Sequence, residues 1–325
     1  MQRSSIFART TGLLALVTAL TLAAPAHAKS KSTPSTPIKP ADAPSRTPAP
    51  LRPTATGGQW SAAVKVTGTI DDKTTTAPML VYTPVGYSTT KKFPLVIALH
   101  GWNHTPEMFR DKGDLAQWAD HYGVVLAVPA MGKTIYETAF YPESKRAWSV
   151  IPGTRWVGEV ILPYVRANYA VLSDRAHTAV IGYSTGGRGA VLLAEAYPEF
   201  AFAGSASGTF DLMRLAPKDG EYKIHAVIYG PRDKNTARWE LDNCITPARL
   251  AKLDGTALFI AHSGKDNVVM PNQLDALRDA LAGKPAIKVE FVTPLAGGHD
   301  WKFWNAQWPA MFTNLAAALA LPNGK

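Results

Sequence analysis

Short strand-like runs fall along the chain at 95–99, 123–128, 179–181, 202–207, 257–262 and 287–292, most of them continuously apolar, separated by longer amphipathic stretches. Runs of that length without polar alternation are the mark of strands buried on both faces of a parallel sheet. The intervening stretches 107–122, 156–169, 190–196, 273–282 and 304–321 read as helices, with Pro163 kinking or breaking the second of them. Ahead of these, 62–70 and 79–83 form an antiparallel pair with Asp71-Asp72-Lys73 near the turn. The segment 208–255 is mixed in pattern and reads as an insertion, in which 225–229 looks β-like. The alternation predicts an α/β fold with a mostly parallel central sheet and helices on both faces, one domain over 59–325. In such sheets ligands gather at the carboxyl ends of the strands.

One of those ends carries chemistry. The apolar run at 179–181 continues as Gly182-Tyr183-Ser184-Thr185-Gly186 and then as a helix-forming run that stops at Pro198. Strand, G-x-S-x-G and helix in that order form a nucleophile elbow: the serine is forced into a sharp turn with its hydroxyl exposed, and flanking glycines let strand and helix pass closely. Thr185 N–H, at the helix start, is then an oxyanion donor. A serine hydroxyl is a weak nucleophile until an imidazole takes its proton, and that imidazole needs a carboxylate to fix its tautomer. After the last predicted strand, His299 lies in the loop Leu295-Ala296-Gly297-Gly298-His299-Asp300-Trp301, where the base belongs; His262 and His225 are less well placed. Asp266 directly follows the penultimate strand and is the candidate acid, with Asp233, after the β-like run, as its rival. The loop opening His100-Gly101-Trp102 supplies the second oxyanion donor, Trp102 N–H, while His100 itself reads as structural. Trp102, Trp148, Tyr183 and Trp301 are the candidates to line a substrate pocket.

The N-terminus alters where this chemistry would operate. Arg3 and Arg9, an apolar run over 12–24 and Ala26-His27-Ala28 make a secretory signal peptide over 1–28, too short in its apolar part for a membrane span. Seven prolines follow within 29–58, a composition that buries no core and reads as a disordered linker. The formal charge of +9 falls to +7 once Arg3 and Arg9 are removed, and the remaining charges are dispersed. That dispersal argues against nucleic acid as a partner. Cys244 is the single cysteine, which leaves no internal disulfide and reads as a buried apolar residue. No paired-histidine, calcium-loop, P-loop or dinucleotide pattern occurs, so no metal or cofactor is expected.

The stretch 159–211 and the Gly-Gly-His-Asp-Trp…Trp ending at 297–304 resemble the esterase family of α/β hydrolases. That family includes esterase D, S-formylglutathione hydrolases, feruloyl esterases and secreted mycolyltransferases. The resemblance implies the α/β-hydrolase fold, Ser184 as nucleophile, Asp266 as acid and His299 as base; it departs from the family pattern at Thr185, where methionine is usual. The function expected is a secreted or periplasmic serine esterase cleaving small-molecule or polymer-linked carboxylic esters through an acyl-enzyme. The alternatives are an acyltransferase to a sugar acceptor and a non-catalytic cell-wall binding protein on the same scaffold. Acyl and alcohol specificity and oligomeric state are not legible.

Overall fold

Each of the apolar runs becomes a strand. In the computed structural model, residues 57–142, 151–294 and 296–322 are described. The expected signal peptide, nearly all of the proline-rich segment and Trp148 lie outside them.

The strands are β1 (Gln59–Trp60), β2 (Val64–Ile70), β3 (Lys73–Thr83), β4 (Leu95–Leu99), β5 (Val125–Pro129), β6 (Thr178–Tyr183), β7 (Phe202–Ala206), β8 (Ala257–Ala261) and β9 (Lys288–Val292). The helices are α1 (Glu107–Asp111), α2 (Leu115–Tyr122), α3 (Gly153–Arg155), α4 (Leu162–Asn168), α5 (Thr185–Ala196), α6 (Gly220–Tyr229), α7 (Arg232–Leu241), α8 (Pro247–Leu250), α9 (Asn272–Leu281) and α10 (Trp301–Ala318). The sheet order is β1-β3-β5-β4-β6-β7-β8-β9, with β2 paired to β3. From β5 through β9 every neighbouring pair is parallel, while β3 runs antiparallel to β5. This is the α/β-hydrolase arrangement.

The pleat explains why the runs are unbroken. In β4, Leu95, Ile97 and Leu99 point into one apolar layer and Val96 and Ala98 into the other. The first layer is closed by residues of α4, α5 and α9, such as Val165, Val191 and Leu277. The second is closed by α2 and α10 through Trp118, Trp308 and Phe312. Both sides of the central strands β4, β5, β6 and β7 are therefore buried, while β2 and the edge strand β9 keep exposed positions.

Two local expectations are corrected. The stretch 107–122 is two helices, because Gly113 sits where a side chain would strike the Phe109 carbonyl and the Trp301 ring, and the chain turns there. The β-like run 225–229 is the last part of α6: its β-branched and aromatic residues face the Tyr229–Trp239 cluster of the insertion and are helical by tertiary packing. The hairpin joining β2 to β3 turns on Asp71 and Asp72, both left-handed at φ 49° and 61°, the pair that a two-residue primed turn requires. At Pro163 the segment passes from a wide π turn over Trp156–Ile161 into α4, so the ring falls in that helix's first turn where no N–H is needed.

Candidate active site

Ser184 caps α5 directly after β6. Its backbone stands at φ 56° and ψ −127°, a conformation few side chains adopt. It persists because its surroundings dictate it. Ser184 N–H donates to Ala206 O at 2.8 Å, and a side chain at Gly186 would run into the Leu99 and His100 carbonyls. The glycines of the motif thus mark close passage of backbone.

The hydroxyl meets its partners in line. Ser184 Oγ lies 2.8 Å from His299 Nε2, and His299 Nδ1 lies 2.8 Å from Asp266 Oδ2. Asp266 Oδ1 accepts from the N–H groups of Val268 and Val269 at 2.9 and 3.0 Å, which pins the carboxylate. Burial alone pushes the Asp266 carboxyl up, but the hydrogen bond and charge of His299 and the Val268 N–H outweigh it. The group therefore ends below its ordinary value and stays ionised. Ser263 stitches the acid and base loops together, donating its O–H to Gly297 O at 2.7 Å. His262 packs beneath Asp266 with Nε2 on Val269 O, and burial lowers its pKa, so it is a neutral packed residue. The rival acid Asp233 is exposed in the first turn of α7.

The turn after β4 is pressed against Ser184: a side chain at Gly101 would come to 3.1 Å of Ser184 Cβ. His104 N–H closes this turn on Gly101 O at 3.1 Å, with Asn103 left-handed at φ 55°. His100 is wholly buried, donates from Nδ1 to Gly101 O and accepts the Met131 N–H on Nε2; burial depresses it to about 4. It is a brace for the turn. Trp102 follows Gly101 and is half-buried beside the insertion's apolar cluster. Thr185 is the first residue of α5. Both N–H groups thus belong to segments bordering Ser184.

The pocket expectations fare differently. Tyr183 is fully buried, its ring 4.3 Å from Trp304 and 4.7 Å from Trp301, so it supports the elbow from below and does not line a pocket. Its place in β6 dictates this, since the residue before an elbow serine points into the layer beneath. Trp301 is partly buried against Tyr183, Phe109 and Trp304.

Two features escape sequence reading. One is His104, whose Nδ1 lies 2.8 Å from the Tyr183 hydroxyl. The other is a buried polar network behind α5. Arg188 donates to Ile135 O, to the Tyr229 hydroxyl at 3.1 Å and to Asp242 O at 2.8 Å. The Asp242 carboxylate accepts from Thr138 N–H and O–H, Tyr229 O–H and Arg249, which also reaches Glu195 at 3.3 Å. Arg188 follows the serine by four residues, but its partners lie 41 to 54 residues away. Among the described residues there is no group of three or more His, Cys, Asp or Glu able to hold a metal ion. Nor is any described helix long and apolar enough to cross a membrane.

Comparison with known proteins fits this geometry. The family described as "Putative esterase" matches residues 67–315. The chain is 26% identical over 256 residues to the diacylglycerol acyltransferase/mycolyltransferase Ag85B of Mycobacterium avium, covering 69% of this chain and 73% of that one. Among solved structures it is similar to an S-formylglutathione hydrolase from Agrobacterium tumefaciens, with TM-score 0.65, 17% identity and coverage of 82% of this chain and 96% of that one. It is likewise similar to a ferulic acid esterase, with TM-score 0.62, 18% identity and coverage of 82% and 100%. The chain therefore belongs to this esterase family, as an α/β-hydrolase-fold enzyme of ester hydrolysis or acyl transfer.

Proposed function

We propose that the protein is a serine esterase working through an acyl-enzyme, with Ser184 as nucleophile, His299 as general base and Asp266 as the orienting acid. The observation that carries this reading is the unbroken relay of two 2.8 Å contacts from carboxylate to imidazole to hydroxyl. His299 Nε2 takes the serine proton as Oγ attacks the ester carbonyl, and Asp266 holds Nδ1–H so that the ring presents its lone pair. The tetrahedral oxyanion is held by the N–H groups of Trp102 and Thr185, the latter at the positive end of α5. His299 then returns its proton to the departing alcohol. A water molecule activated by the same imidazole releases the acid. Trp102 and Trp301 border the substrate.

The chain also carries features of export. Residues 1–28 act as a cleaved signal peptide, 29–58 as a proline-rich linker and 59–325 as the catalytic domain, which places the enzyme outside the cytoplasm with polymer-linked or free esters as substrates. A second reading, acyl transfer to an alcohol acceptor, is favoured by the likeness to the mycobacterial diacylglycerol acyltransferase/mycolyltransferases.

The test is hydrolysis of a chromogenic ester series from acetyl to long acyl, with and without added sugar acceptors. Ser184→Ala and His299→Ala should each lower kcat by roughly 10⁴-fold or more. Equal turnover in wild type and both variants would refute the relay. Acyl-sugar product formed in preference to free acid would assign transfer.

A further inference from the structure

From the geometry around the oxyanion turn we infer that His104 and Tyr183 form a strap that fixes the oxyanion hole, His104 being a positioning residue for the reaction. This rests on the reading of Ser184 as nucleophile and Trp102 N–H as oxyanion donor.

An oxyanion donor works only if its N–H is already aimed where charge develops, so what holds the turn matters as much as the donor. The turn of residues 101–104 is closed by a single backbone bond, His104 N–H to Gly101 O, across a left-handed Asn103. Its two ends are held independently. At its start, His100 ties the turn to the following loop through Met131 N–H. At its end, the His104 imidazole ties it to Tyr183, the residue immediately before the nucleophile, at 2.8 Å. Tyr183 belongs to β6 and has no freedom of its own: its ring is locked against Phe109, Trp301 and Trp304. Between these braces the turn is also tied by Asn103 N–H to Gly132 O at 3.0 Å, and the brace at its end runs to the residue beside Ser184 on β6.

The protonation state suits the strap. Burial first, then Lys112 and His299, lower the His104 pKa and favour the neutral ring, whose Nδ1 pairs with the Tyr183 hydroxyl. Trp304 stands edge-on to His299 at 5.3 Å and to His104 at 6.5 Å. The same indole therefore packs against both the His299 and the His104 rings.

The bond stabilises the transition state and leaves ground-state binding alone, which sets the test. Tyr183→Phe, His104→Ala, His104→Gln and the double variant Tyr183→Phe/His104→Ala would be compared with wild type on one chromogenic ester. The kcat would be expressed per active site titrated with a fluorophosphonate, so that misfolded protein does not count. Tyr183→Phe and His104→Ala should each lower kcat roughly 10- to 100-fold, short of the ~10²–10³ that follows outright loss of an oxyanion donor. KM should stay within about twofold, because the substrate carbonyl gains little from the hole before charge develops. The double variant should be no slower than Tyr183→Phe alone, since that change removes the His104 bond together with the hydroxyl's interaction with the Gly101 backbone. His104→Gln, which keeps a polar partner for the phenol, should recover most of the rate. Wild-type kcat in either single variant, multiplied losses in the double variant, or a rise in KM alone would each overturn the strap. Unchanged activity in Ser184→Ala would instead overturn the reading on which it rests.

Discussion

Helix α5 serves two polar systems that could hardly differ more. At its N-terminus Ser184 joins a relay of three side chains, each link a single hydrogen bond, with the His299 side chain 10% exposed at its centre. On its body, Arg188 and Glu195 join a network in which Arg188, Asp242 and the Glu195 side chain are all removed from water. The relay is sparse because one of its groups must meet a substrate and move a proton. The network is dense because a charge kept from water must find all its partners inside the protein. The first is built for reactivity and the second for fixing the insertion over the helix that carries the nucleophile.

The comparison breaks most sharply by separating rate from stability. Asp266→Ala should lower kcat by about 10³- to 10⁴-fold while shifting the melting temperature little, as measured by ester kinetics beside thermal unfolding. If the melting temperature collapses instead, Asp266 is a structural anchor and the contrast fails. Arg188→Met should do the reverse. Removing one partner of a buried charged network destabilises by about 3–5 kcal/mol, a loss visible as a lower urea midpoint, with activity per folded molecule kept within about tenfold.

The two systems also respond to pH with opposite sign. Burial pushes the carboxyls of Glu137 and Glu195 up to about 8, the latter against the pull of Arg249 and Arg188. Each binds its proton more tightly in the folded chain than its ordinary value of 4.5 allows. Their contribution is therefore complete below that ordinary value and fades as pH rises through about 8. Asp266, depressed in the fold, contributes above its ordinary value and loses that contribution as the medium is acidified. Melting temperatures of Glu137→Gln/Glu195→Gln should accordingly be flatter than wild type between about pH 5 and 9. The smallest effect concerns Cys244, wholly buried beside the network with its thiol pushed far up by burial. Iodoacetamide should leave it unmodified in the folded protein, with no change in activity, and label it only in denaturant.

How much of this could be read from the chain follows the same division. The strand 95–99 emerges with the very bounds its apolar run suggests, since five consecutive apolar residues between Pro94 and His100 leave little choice. Ser184, His299 and Asp266 were nameable because an elbow is written in adjacent residues and because chain order puts acid and base after the last strands. Tyr183, named among the candidate pocket aromatics, instead has its ring in the core, a consequence of strand geometry that side-chain type does not reveal. His104 gave no signal, since its meaning depends on a tyrosine 79 residues away. Arg188 stood in plain view beside the motif, yet nothing local tells that its guanidinium is drawn inward to carbonyls of distant loops. Short-range rules of glycine, alternation and capping are legible, and contacts that close long loops are not.

The backbone at Ser184 has a further consequence, for how the protein comes to life. A residue at φ 56° and ψ −127° has no local reason to stay there; β4, β7 and the loops around them impose it from outside. Its partner His299 lies 115 residues downstream, and Asp266, which contacts that imidazole, lies 33 residues before it. Parallel strands joined by such long connections assemble slowly, after the entropy of closing each loop has been overcome. The newly made chain is thus inert toward esters until the sheet is complete, and during refolding activity should return with the last cooperative phase.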